Sequence, residues 1–393
     1  MKPAKRLDSI NEYYFSKKLK EIAEMNAAGK NVINLGIGSP DLPPSVSTIE
    51  KLVETAKLHT SHAYQGYVGI PALREAMAQF YKKHYAVELN PVNEIMPLLG
   101  SKEGIMHVCM TYLEAGDMAL IPNPGYPSYR AAVTLAGAEC LEYHLSAANN
   151  WLPDFEELEK MDLSKVKLMF VNYPHMPTGA EATKAAFQDI VNFAKRHNLL
   201  IINDNPYSFI LNEHPLSILT ADGAKDVALE LNSLSKSHNM AGWRVGMLVG
   251  KAEYLSDVLR FKSNMDSGMF LPVQLAAVEA LKADESWYTD LNEIYKERQQ
   301  AVFELLDLLN CIYDKNQTGM FVWAKVPSKL SDTPNGINEV SGFELSDNIL
   351  YKANVFITPG GIFGSQGDGY VRVSLCAKVE VFKAAIERIK SIL

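Results

Sequence analysis

Ser233-Leu-Ser-Lys236-Ser-His-Asn-Met-Ala-Gly-Trp-Arg244-Val-Gly246 runs near the middle of this chain. One lysine stands among small hydroxyl residues, with an arginine eight positions on and glycines beside it. A lysine amine becomes a chemical tool when it forms a Schiff base with a carbonyl cofactor, and a phosphorylated cofactor needs hydroxyls and a cation at hand. This spacing supplies all of them and points to pyridoxal phosphate (PLP). Taken alone, a lysine in a serine-rich stretch is a solvated loop residue. What stands at other positions decides between the two.

The surroundings read as alternating strand and helix. Met118-Ala-Leu-Ile121, Val166-Lys-Leu-Met-Phe-Val171, Leu199-Leu-Ile-Ile202 and Val245-Gly-Met-Leu-Val249 are short apolar runs of the kind that make buried strands. Helical stretches such as Lys184–Arg196 separate them at βα lengths, which predicts an α/β fold with a mostly parallel sheet covered by helices. A helix is expected from about Ser9 to Ala28, ahead of a glycine-proline loop, Gly36-Ile-Gly-Ser-Pro-Asp-Leu-Pro-Pro44. Past Gly268 the character changes. A long helical region, about Pro272 to Leu309, precedes alternating Met320-Phe-Val-Trp-Ala324 and Tyr370-Val-Arg-Val-Ser374 and a final helix, Val379–Ile392. That pattern predicts a smaller α+β domain packed with the N-terminal segment; the polar stretch Pro327–Ser341 reads as a surface loop.

Bulk properties exclude several classes. A chain of 393 residues suits two domains better than one. With 47% hydrophobic and 21% charged residues it is neither disordered nor fibrous. A net charge of −8 argues against a nucleic-acid surface. Cys109, Cys140, Cys311 and Cys376 lie far apart with no CxxC, so neither zinc nor a disulfide framework is implied, and a reducing compartment is. No apolar run approaches the roughly 18 residues of a membrane span, and the N-terminus lacks a signal-peptide core; a cytoplasmic protein is expected.

Four further stretches bear on Lys236. Leu199-Leu-Ile-Ile-Asn-Asp204-Asn-Pro-Tyr207 is an apolar strand ending in a carboxylate, at the edge where α/β sheets place ligand contacts. Facing a pyridine nitrogen, Asp204 would keep it protonated and make the ring an electron sink, while Tyr207 can bond a ring oxygen. Asp204 as a helix cap is the competing reading. Leu98-Leu-Gly100-Ser101-Lys102 is a glycine turn into a helix, whose N-terminal amides suit a phosphate. Asn123-Pro-Gly-Tyr126-Pro-Ser-Tyr129 offers aromatics for a flat ring. Tyr370-Val-Arg372-Val-Ser374 sets an arginine in an apolar strand, either paired with a structural carboxylate or serving as a clamp for a substrate carboxylate.

In this order the pieces resemble the class I/II aminotransferases of PLP fold type I over essentially the whole length. The matching stretches also include Ala63-Tyr64-Gln-Gly-Tyr-Val-Gly69 and Pro177-Thr-Gly179, and the LL-diaminopimelate/aspartate aminotransferase-like branch looks nearest. The resemblance implies a large domain with a mostly parallel seven-stranded sheet and a small α+β domain: an arm at 1–45, a large unit at 46–285 and a small one at 286–393. It implies that Lys236 forms the Schiff base and moves the Cα proton. Asp204 pairs with the ring nitrogen, Tyr207 with the ring oxygen, and Tyr126 stacks on the ring. Ser101, Lys102, Ser233, Ser235 and Arg244 hold the phosphate, and Arg372 binds the substrate carboxylate with help from the backbone near Gly38. Tyr64 reaches the phosphate of the neighbouring subunit, which implies a homodimer. The expected activity is ping-pong transfer of an amino group from an L-amino acid to a 2-oxo acid, 2-oxoglutarate foremost. A carbon–sulfur β-lyase on the same scaffold is the alternative; an aminotransferase-like regulator is disfavoured by the acidic balance and by a PLP fold that begins within the first few dozen residues.

One position departs. The family pattern Asn-Asn-Pro-Thr-Gly reads His175-Met176-Pro177-Thr-Gly179 here, so a thioether replaces the asparagine that bonds the ring oxygen. A thioether cannot donate. The Lys236 Schiff base should therefore titrate at higher pH than in Met176→Asn, as visible absorbance would report; identical midpoints would refute this. In Lys262-Ser-Asn264-Met-Asp-Ser-Gly268, Lys262 or Asn264 either reads the far end of a substrate or is a rim residue.

Overall fold

Seven strands share one sheet, in the spatial order Ile95–Leu98, Gly246–Gly250, Ala228–Ser233, Leu200–Asp204, Val166–Val171, Met118–Asn123 and Glu139–His144. Gly246–Gly250 runs antiparallel to both its neighbours, and the remaining pairings are parallel. This computed structural model describes residues 1–8, 10, 14–327 and 340–393. The expected Pro327–Ser341 loop lies, from 328 to 339, outside the described residues.

The central strands are buried along their length, which is why they read as continuous apolar runs rather than alternating ones. Helices cover both faces. In Lys184–His197, Phe187, Ile190, Val191 and Ala194 fall on one buried stripe. Thr183 caps its start by accepting from the Ala186 amide, and Asn198, with φ +54°, ends it in the left-handed region that asparagine tolerates.

A second core gathers around a four-stranded antiparallel sheet ordered Thr358–Pro359, Tyr370–Ser374, Phe321–Lys325 and Ile312–Tyr313. Phe15 and Leu35 from the N-terminal segment belong to this core, as the sequence suggested. Ile33–Asn34 also pairs in parallel with Val355–Phe356.

Two helical expectations need adjustment. The stretch from 272 to 309 is two helices, Leu271–Ala280 and Glu285–Leu308. Asp284 breaks it: its carboxylate accepts from the Ser286 and Trp287 amides at 3.1 and 3.4 Å, starting a new helix instead of continuing the old one. The first helix is Tyr14–Ala27, while Ser9 and residues 11–13 lie outside the described residues. No described helix is long and apolar enough to cross a membrane.

Candidate active site

The strands Met118–Asn123, Val166–Val171, Leu200–Asp204 and Ala228–Ser233 all end on one edge of the sheet, the edge where open α/β folds bind ligands. A cavity of about 600 Å³ opens there. Gly38, Ser101, Lys102, Tyr126, Asp204, Tyr207, Ser233, Ser235, Lys236, Arg244 and Arg372 all line it. These residues come from stretches up to 334 positions apart in sequence, between Gly38 and Arg372. Tyr64 does not line it; that side chain is 92% exposed.

One end of the cavity is a cationic cradle. Gly100 precedes helix Ser101–Tyr112 with φ +88°, and a Cβ there would sit 2.1 Å from Arg244 Nη2, so only glycine lets the guanidinium reach the helix start. Gly246 is constrained equally, since its Cβ would meet the Ser101 amide at 2.7 Å. Ser233 Oγ accepts from the Ser235 amide at 3.1 Å and donates to Ser235 Oγ at 2.8 Å. Free amides at a helix N-terminus, serine hydroxyls and an arginine together make an anion site of phosphate size.

Asp204 faces the cavity from the end of its strand. The chain turns after it without entering a helix, so the capping alternative is ruled out. Tyr129 donates to Oδ2 at 3.0 Å, and Oδ1 is buried with no partner. Burial pushes this carboxyl up to about 7, against the pull of the Tyr129 and Ser101 hydroxyls. A buried, half-satisfied carboxylate is poised for a cationic N–H.

Between these groups Lys236 Nζ donates to the Gly38 carbonyl at 2.7 Å. Burial, helped by the nearby Arg372 and Arg244 charges, holds this amine below the ordinary lysine range, with Cys376 opposing. A shift in that direction favours the neutral amine, the form that attacks carbonyls and accepts protons.

Arg372 is nine-tenths buried and more. Its Nη2 donates to the Gly36 carbonyl at 2.9 Å and its Nη1 lies 3.2 Å from Met176 Sδ. The guanidinium carbon sits 3.8 Å over the Phe321 ring, 4.7 Å over Phe363 and 5.6 Å over Phe15. Aromatic faces hold such a cation without neutralising it.

Some residues are at the site that sequence reasoning left unassigned. Tyr129 was one of several aromatics in its loop; it bonds Asp204 and stacks on Phe170 at 4.9 Å. Asn172 lines the cavity and donates to the Asp204 carbonyl, while its Oδ1 accepts from the Met176 amide at 2.8 Å. Phe15, Ser16, Leu19, Ile37, Phe321 and Phe363 carried no motif that could single them out. Lys262, by contrast, is 1% exposed, donates to both Asp266 carboxylate oxygens and does not line the cavity, and neither does Asn264.

The family model for aminotransferase class I and II matches residues 30–389. An LL-diaminopimelate aminotransferase from Dehalococcoides mccartyi is 40% identical over 391 residues, spanning 99% of this chain and 98% of that protein. Another, from Halothermothrix orenii, is 38% identical and spans 100% of this chain and 98% of its own length. Among solved structures, apo-BacF from Bacillus subtilis superposes with a TM-score of 0.93 at 38% identity, covering 100% of this chain and 98% of that one.

Proposed function

The chain belongs to the class I and II aminotransferase family, and from that premise we propose how its own residues carry a PLP-dependent transamination. Family membership carries the PLP fold type I architecture and the transfer of an amino group between an amino acid and a 2-oxo acid. The assignment of roles rests on one observation: Lys236 Nζ shares a single cavity with the unpartnered oxygen of Asp204, the cradle at Gly100–Ser101 and the buried Arg372.

The residues present fit PLP. Ser101, Lys102, Ser233, Ser235 and Arg244 would hold its phosphate, Asp204 its ring nitrogen, Tyr207 its ring oxygen and Tyr126 its face. When bound, PLP supplies an electron sink next to the substrate Cα. Asp204, whose charge burial disfavours and a facing cation would favour, keeps a proton on the ring nitrogen. Arg372 grips the substrate α-carboxylate through its planar fork, with the backbone near Gly38 beside it. Its three aromatic neighbours hold the guanidinium in place without neutralising it. Lys236 Nζ takes the Cα proton and returns it on the far side of the transfer; burial, which lowers its basicity, favours the neutral amine that this role needs.

The acceptor in this reading is 2-oxoglutarate. The assembly is a homodimer, a reading supported by the exposed Tyr64, Tyr67, Met265 and Phe270, which lie on two segments that meet where Gly268 packs against the Gln65 and Gly66 carbonyls. The arm, large unit and small unit divide near residues 45 and 285. Four free cysteines suit the cytoplasm. The test is a panel of amino acids with 2-oxoglutarate, LL-diaminopimelate included because relatives carry that name. Glutamate and the matching 2-oxo acid are expected in equal amounts. Ammonia and pyruvate without glutamate would make it a lyase instead.

A further inference from the structure

From a circuit of hydrogen bonds around the loop 36–44 we propose that Asp41 and Arg298 are positioning residues. Their ion pair holds the Gly36 and Gly38 carbonyls where Arg372 and Lys236 meet them, although neither residue lines the cavity. The proposal rests on the reading of this cavity as the aminotransferase site and deepens it by naming what sets its geometry from outside.

The loop Gly36-Ile-Gly-Ser-Pro-Asp-Leu-Pro-Pro44 contains neither helix nor strand, and Pro40, Pro43 and Pro44 have no amide hydrogen to donate. Its place is set by side chains from other segments. Two of its carbonyls take cations of the site: Gly36 accepts from Arg372 Nη2 at 2.9 Å and Gly38 from Lys236 Nζ at 2.7 Å. Further along, the two carboxylate oxygens of Asp41 accept from Arg298, from Nη1 at 2.7 Å and from Nη2 at 2.9 Å. Arg298 stands on the helix Glu285–Leu308 and is 3% exposed. Its Nη1 also donates to the Leu375 carbonyl at 3.1 Å, one residue past the strand Tyr370–Ser374 that carries Arg372.

These bonds close on themselves. They run from Arg298 to Asp41, back along the loop to Gly36, across to Arg372, and along its strand to Leu375 and Arg298 again. Gly38 lies within the circuit, its backbone pressed on Phe321 so closely that a Cβ would sit 2.2 Å from the ring. The same ring underlies the Arg372 guanidinium at 3.8 Å. A planar fork suits the corner that Arg298 occupies, because it bonds a carboxylate and a carbonyl at once in fixed directions. An ammonium is a point charge on a flexible stem. Arg298→Lys therefore keeps the charge and loses the geometry. The Gly38 carbonyl should then drift from Nζ whenever Lys236 is free of the cofactor, and Gly36 from Arg372. The phosphate cradle has its own anchors, at Gly100, Ser233 and Arg244.

Three readings on the full-length chain test this. Mixed with glutamate and no acceptor, wild-type holoenzyme should aminate its cofactor, as absorbance reports. Arg298→Lys should do so at least about 10-fold more slowly at saturation and need more glutamate to half-saturate, since displacing a reacting group by about 1 Å costs up to about 10²-fold. PLP affinity should stay within about threefold, as for a site that shares no partner with the change. On the cofactor-free chain, the pH dependence of Lys236 acetylation by acetic anhydride, read by peptide mass spectrometry, reports the free amine. A carbonyl that accepts from Nζ favours its charged form, so the midpoint should fall by at least about half a unit in the variant. Arg372, Arg244 and Cys376 also face Nζ, and the substitution changes none of them. Asp41→Asn reaches the pair from its 29% exposed side and gives the same three readings where Arg298→Lys does not fold. Amination within threefold of the wild type, or an unmoved Lys236 midpoint, would overturn the pair's role and leave the aminotransferase reading intact, whatever the loss in urea stability. PLP affinity falling as far as the amination rate would overturn it too, as general damage to the site. Wild-type holoenzyme that glutamate does not aminate would overturn that reading and the pair's role with it.

Discussion

Lys236→Ala is expected to lower kcat by at least about 10⁴-fold, because one amine serves two roles that alanine cannot share out. It is the group that would attach the cofactor, and it is the base that moves the Cα proton. In the described structure no other amine can substitute: the ammonium of Lys102 belongs to the cradle end and Lys262 is locked onto Asp266. The fold should survive, since among the described residues Nζ donates one hydrogen bond, to the Gly38 carbonyl. Removing an amine that burial already disfavours as a cation should leave denaturant stability unchanged within about 1 kcal/mol. Turnover and urea unfolding measured on the same preparation separate the outcomes. Activity within tenfold of the wild type would remove Lys236 from the mechanism, and a collapsed unfolding midpoint would mean that the lysine is structural.

That lysine was legible because its neighbours are small and its spacing to Arg244 is local. The cradle was legible for the same reason: Gly100 and Gly246 are required by close approaches and Ser233 by its capping bond to the Ser235 amide, and each leaves a trace in the sequence. Strand Ala228–Ser233 was harder to see. Glu230 and Asn232 interrupt its apolar run, yet both are buried, with Glu230 satisfied by Tyr81, Asn203 and the Ile218 amide. No periodicity reveals a polar side chain whose partners are more than ten residues away. The aromatic ring around Arg372 was hidden similarly. Phe15, Phe321 and Phe363 come from three distant segments, and each looks like an ordinary core residue until the fold brings them together. Asp204 lay between these cases. Its position at a strand end suggested a ligand, but only the buried, unpartnered Oδ1 and the absence of a following helix separate that role from a cap.

Asp204→Asn should have opposite effects on the reaction and on the cofactor-free fold. The amide preserves the shape and can still accept from Tyr129, but it cannot carry the negative charge that keeps a ring nitrogen protonated. Turnover and PLP affinity should each fall, kcat/KM by about 10²–10³-fold, the scale for losing one preorganised electrostatic contact. The bare protein should become more stable, and the pH dependence identifies the cause. In the folded state burial raises this carboxyl from 3.8 to about 7. A carboxyl raised on folding contributes stability that is present below its unfolded pKa and lost as pH climbs through the folded one. Between pH 4 and 7 the unfolded chain therefore gives up this proton while the native chain keeps it, and the wild type loses ground. At 1.36 kcal/mol per unit the full penalty is about 4 kcal/mol above pH 7, less than half of it present at pH 5. The stability gap between Asp204→Asn and wild type, both cofactor-free, should accordingly widen by about 2–3 kcal/mol from pH 5 to pH 8 in denaturant titrations. Saturating PLP should abolish or reverse the gap, because a cation opposite Asp204 makes its charge favourable and gives the asparagine nothing to match. A gap that stays flat with pH would mean that Asp204 is ionised in the bare fold and that its partner lies elsewhere. A gap that widens with pH but persists under PLP would leave the strained carboxyl in place and remove the ring nitrogen as its purpose.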